Sequence, residues 1–80
     1  MKNQKLIELR ESMGKTQDQV SKEIGISRTM YTKIELGTRL GRYKTMKLIA
    51  NYFNCSVDEI FGDYFFKQNA HKTRQSNNTA

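Results

Sequence analysis

Residues Thr16 to Gly37 read TQDQVSKEIGISRTMYTKIELG, and this stretch decides the fold. Thr16 followed by Gln19 is a capping-box pattern, in which the hydroxyl accepts a free backbone N–H and the amide reaches back to the cap. The pattern predicts a helix from Thr16 to about Ile24. Gly25 can take the positive φ of a sharp turn without a Cβ penalty. Ser27 is then a good N-cap for a second helix, which Gly37 closes. Val20, Ile24, Tyr31 and Ile34 give each helix one apolar stripe, and the small Ser21 lets the two axes approach closely.

Two short helices joined by a glycine turn have the layout of a helix-turn-helix, whose second helix enters the major groove of DNA. On that second helix Arg28, Thr29, Thr32 and Lys33 fall opposite the apolar stripe. Their chemistry suits base edges: Arg and Lys donate to guanine, and Thr offers a hydrogen bond or a methyl contact to thymine. An ordinary amphipathic helix with a solvated polar face has the same periodicity, so the residues alone leave both readings open.

The run Gln17, Gly25, Ile26-Ser27-Arg28, Ile34-Glu35 and Gly37, followed by CSVDEIFG from Cys55 to Gly62, resembles the Cro/repressor-type, lambda-repressor-like helix-turn-helix regulators of phage and bacteria. The resemblance covers Leu6 to Gly62 without gaps. It implies a compact all-α domain of five helices that binds double-stranded DNA, with Arg28, Thr29, Thr32 and Lys33 reading bases. It also implies a phosphate contact from Gln17, at the first turn of its helix, where a helix N-terminus favours anions. Finally, it implies a salt bridge from Arg10 to Glu35 that leaves part of the guanidinium for a phosphate. Two unrelated solvated charges are the alternative for that pair.

The totals fit one small domain. Eighty residues carry 14 Lys+Arg against 8 Asp+Glu, a net charge of +6 and a pI near 9.7. Such a balance points to a polyanionic partner. From Arg28 to Lys47 stand six bases, Arg28, Lys33, Arg39, Arg42, Lys44 and Lys47, against the single acid Glu35, so the positive field is local. Arg39, Arg42 and Lys44, in and after the loop TRLGRYK, are expected to hold phosphates beside the groove, together with Ser27, and Tyr43 to plug the core. Cys55 has no partner for an intramolecular disulfide and reads as a small core residue. No apolar N-terminal leader or long hydrophobic span is seen, so a cytoplasmic location is expected. The sequence holds no metal-ligand cluster, phosphate cradle or nucleophile elbow, so no enzyme activity, cofactor or metal is expected, and no membrane partner.

In chain order, Met1 to Gln4 are polar and expected to fray. Leu6, Leu9, Arg10 and Met13 share one helical face, predicting a first helix over about residues 3–13. Met46, Ile49, Ala50 and Phe53 mark a fourth over 44–53. Ser56 with Glu59 repeats the capping box and starts a fifth helix of one to two turns, which Gly62 is expected to stop. After it comes a short aromatic extension, DYFFK from Asp63 to Lys67, with high β propensity. Phe61, Tyr64, Phe65 and Phe66 are therefore candidates for a homodimer contact, by packing or a short strand, with folding back onto the core as the alternative. The domain is expected to span 1–66, and the polar stretch 67–80, which includes His71, to be disordered.

The resulting expectation is a sequence-specific regulator of transcription: a homodimer that represses by occupying a promoter at a palindromic operator. An antitoxin-type protein-interaction module with secondary autoregulatory DNA binding is the rival expectation.

Overall fold

The computed structural model describes residues 1–68, and the side chains of 1–64. Five helices follow one another: α1 Gln4–Ser12, α2 Gln17–Ile24, α3 Arg28–Leu36, α4 Tyr43–Tyr52 and α5 Val57–Gln68. No strand occurs among the described residues, and the helices wrap a single core, an all-α architecture consistent with a lambda-repressor-like helix-turn-helix fold. Leu6 of α1, Val20 of α2, Tyr31 and Ile34 of α3, Met46, Ile49 and Ala50 of α4, and Ile60 and Phe61 of α5 are buried together. Each helix thus gives one apolar stripe to a common interior.

Local chemistry sets the ends. Thr16 and Gln19 form the reciprocal cap at the start of α2 (3.1 and 2.8 Å), and Gly25 ends the helix at φ +94°. The Ser27 hydroxyl accepts the Met30 N–H at 3.1 Å to open α3. Ser21 in α2 is buried and donates its hydroxyl to the Asp18 carbonyl at 2.9 Å. Beyond α3 the backbone N–H groups of Thr38 and Arg39 both reach the Lys33 carbonyl, at 3.1 and 3.3 Å, and fix the course of the basic loop.

The N-terminus does not fray as expected. Asn3 caps α1 by accepting the Leu6 N–H at 3.1 Å, donates its amide to the Ile60 carbonyl at 3.1 Å, and gives its backbone N–H to the Glu35 carbonyl at 2.8 Å. It is buried where α1, α3 and α5 meet, because carbonyls of two other helices there need donors once water is excluded. The Met1 carbonyl accepts the Tyr64 hydroxyl. Both groups lie against Gly37, at φ +80°, where any Cβ would collide with them.

Four further expectations are corrected. Gly62 does not stop α5, which runs on to Gln68, so the DYFFK segment is helical rather than an extension or a strand. Val57, Ile60, Phe61 and Tyr64 form one i, i+3, i+4, i+7 stripe across the glycine, and packing of that stripe outweighs the local cost of Gly62. For the same reason Phe61 is fully buried in its own core and is unavailable to a dimer contact, and Tyr64 is half-buried against Met1. Phe65 and Phe66 lie outside the described side chains, and the polar stretch from residue 69 onward lies outside the described residues. Tyr43 is no core plug: it is 61 % exposed on the first turn of α4, and the preceding loop sends Leu40 to the core instead. Met13 is exposed because α1 ends at Ser12, before the stripe reaches it. Cys55 is half-buried and packs against the core, its thiol donating to the Phe53 carbonyl at 3.4 Å.

Candidate nucleic-acid interface

The caps at Ser27 and Gly37 make α3 a short, well-defined cylinder, and burial of Tyr31, Ile34 and Glu35 fixes which way it is rotated. The opposite face looks outward. Arg28, Thr29 and Lys33 are exposed and Thr32 is half-buried. With Gln17 of α2 and Leu36 they line one shallow, open concavity of about 440 Å³. Sequence reasoning did not place Leu36 here, although it lies one turn beyond Thr32 and Lys33, and that spacing was its signal.

In the loop after α3 and the first turn of α4 the side chains of Arg39, Arg42 and Lys44 are all exposed, as is Ser27 at the start of α3. The Ser27 hydroxyl already serves the helix cap.

Behind the outer face runs a polar network. Arg10 Nε meets Glu35 Oε2 at 2.7 Å, Arg10 Nη2 meets Oε1 at 3.2 Å, and Arg10 Nη1 donates to the Lys15 carbonyl at 2.9 Å. Arg10 and Glu35 therefore pair in fork geometry, and each guanidinium nitrogen has an acceptor within the protein. Glu35 is only 2 % exposed. Gln17 Nε2 donates to the same Oε1 at 2.9 Å, and the Thr32 hydroxyl donates to Gln17 Oε1 at 3.2 Å. An amide nitrogen carries two hydrogens, of which Glu35 takes one. Burial alone would raise the Glu35 carboxyl, but the hydrogen bonds from Arg10 and Gln17 outweigh it and hold it below its ordinary value. The Tyr31 hydroxyl is also buried near this carboxylate, without a hydrogen bond of good geometry. Burial first, then the adjacent Glu35 carboxylate, which favours the protonated hydroxyl, push the phenol well above its ordinary value.

The outer face thus offers hydrogen-bond donors and acceptors on a helix that a largely buried ion pair ties to α1 and the Gln17 hydrogen bond ties to α2. Among the described residues no group of three or more acids, histidines or cysteines could hold a metal ion, and no helix is long and apolar enough to cross a membrane.

The chain is similar in sequence to known proteins. A family model described as helix-turn-helix matches residues 6–60, from α1 into α5. The cryptic phage CTXphi transcriptional repressor RstR of Vibrio cholerae serotype O1 is 36 % identical over 66 residues, which cover 82 % of this chain and 59 % of that protein. The HTH-type transcriptional activator BcrR of Enterococcus faecalis is 33 % identical over 58 residues, or 72 % of this chain and 28 % of that one. The chain spans less than two thirds of the length of either relative. No solved structure matches it significantly. With well over half its length inside the family match, the chain belongs to the helix-turn-helix family of transcriptional regulators.

Proposed function

We propose that this chain is a Cro/repressor-type regulator that binds double-stranded DNA sequence-specifically as a homodimer and represses by occupying a roughly palindromic operator. The observation that carries the reading is the gathering of Arg28, Thr29, Thr32 and Lys33 around one open concavity on α3. An α-helix with its side chains is about 10–12 Å across, and the major groove is about 12 Å wide. Arg39, Arg42 and Lys44, exposed in the loop after α3 and the first turn of α4, would supply the phosphate contacts that set the register of that helix in the groove. The activity is binding alone, with no chemistry on the partner. Repression is favoured over activation by the similarity to RstR, which covers 82 % of this chain. A dimer that covers a promoter also needs no further surface.

Selection of bound fragments from random duplex DNA tests the reading. The expected product is a two-fold symmetric motif with half-site centres about 10 bp apart. Arg28→Ala is expected to cost about 1–3 kcal/mol on that motif and to relax one base pair. A selection that enriches no motif overturns the proposal.

A further inference from the structure

Thr32 ordinarily reads bases ambiguously, because a hydroxyl both donates and accepts. Here its surroundings remove half of that freedom. The chain of contacts starts at Glu35, whose carboxylate is an acceptor only and is held by Arg10 at 2.7 Å. Facing that carboxylate, the Gln17 amide must present its NH₂ end, and Nε2 lies 2.9 Å from Oε1. The carbonyl end of the same amide is then turned to Thr32, 3.2 Å from the hydroxyl. A carbonyl oxygen accepts only, so the single hydroxyl proton of Thr32 is spent inside the protein.

We infer that the Arg10–Glu35–Gln17 chain locks Thr32 as a hydrogen-bond acceptor toward the groove, making it a determinant that selects amino bases, adenine or cytosine, over keto bases, guanine or thymine, on the strand it faces. Adenine N6 and cytosine N4 donate in the major groove, whereas guanine O6 and thymine O4 accept. A locked Thr32 attracts the first pair and meets the second lone pair to lone pair. Arg28 and Lys33 lining the same concavity have the opposite bias, because they can only donate. The outer face of α3 therefore carries two fixed and opposite polarities. Gln17 and Glu35 act through Thr32 and are positioning residues. The inference rests on the DNA-binding reading given above.

The test compares base preferences selected from random duplex DNA by the wild-type chain, Thr32→Val, Thr32→Ser and Gln17→Met. Wild type is expected to favour A or C over G or T at one position of each half-site by about three- to tenfold, the range of one hydrogen bond. Thr32→Val abolishes that preference and leaves the other positions unchanged, and Thr32→Ser keeps it. Gln17→Met returns the proton to Thr32 and erases the amino-over-keto choice at the same position. If Gln17→Met fails to fold, judged by circular dichroism, the Val and Ser pair decides alone. An unchanged preference in Thr32→Val, or a keto preference in wild type at the position it alters, overturns the inference. The lock also has a readout in the free protein: the Thr32 hydroxyl proton is expected to exchange slowly enough for detection by NMR at low temperature, and to be lost in Gln17→Met. A lock present with no enriched motif refutes the DNA reading, whereas selective binding without the lock refutes only the role of Thr32.

Discussion

Burying a carboxylate at Glu35 is tolerable only because three hydrogen bonds meet it, two from Arg10 and one from Gln17. Because its folded-state pKa lies below the ordinary value of 4.5, the group favours folding at every pH above about 4.5. That contribution is lost as pH falls from there through the lower folded value, and it is constant across the neutral range. Urea unfolding at pH 7 and at stepped acid pH is expected to show this loss in the wild type, with a weaker acid dependence in Glu35→Gln. Glu35→Ala, which leaves the partly exposed Arg10 without its partner, is expected to cost about 1–3 kcal/mol at pH 7, the range of hydrogen bonds to a charged group. An Arg interrupting an apolar stripe already signals a need for an acid, and the family resemblance names Glu35. The engagement of Gln17 and Thr32 with the same network was not legible. It depends on where α2 and α3 cross, and no spacing along one helix encodes that.

At the scale of the elements, the first four helices follow from caps and stripes, and α5 shows where that method stops. Gly62 looks like a terminator because glycine is a poor helix former and commonly ends helices. In α5 it has no positive φ, and the stripe through Ile60, Phe61 and Tyr64 carries the helix past it. A Cβ at Gly62 would come no closer than 3.8 Å to Asp58, an ordinary contact. Gly62→Ala is therefore expected to stabilise the fold by about 0.5–1 kcal/mol, read as a higher urea midpoint with an unchanged slope. A destabilised variant would mean that the helix does end at Gly62. Asn3 was hidden for a related reason: a polar residue near a terminus reads as solvated until three helices are seen to converge on it.

Across the described residues, ten apolar side chains are buried in one core, while the basic residues of the segment from Arg28 to Lys47 stay outside it. Arg28, Lys33, Arg39, Arg42, Lys44 and Lys47 are all exposed, and the one acid among them, Glu35, is buried and already neutralised by Arg10. The segment therefore presents nearly undiluted positive charge. This part of the site was readable from charge counting alone, because segregation of charge along the chain survives folding when an intervening acid turns inward. It leads to a division of labour that can be measured. A side chain that neutralises a phosphate releases counterions, so its loss lowers affinity for every sequence and flattens the salt dependence by about one unit of slope. Arg39→Ala and Arg42→Ala are expected to do this equally on the selected operator and on random duplex. Arg28→Ala should instead narrow the gap between those two duplexes, since a base contact contributes only where the matching base is present. Titrations of each variant on both duplexes at two salt concentrations measure slope and preference together. If the loop arginines change the preference while leaving the slope untouched, the positive segment grips bases rather than backbone, and the assignment of α3 as the reading element must be exchanged with that of the loop.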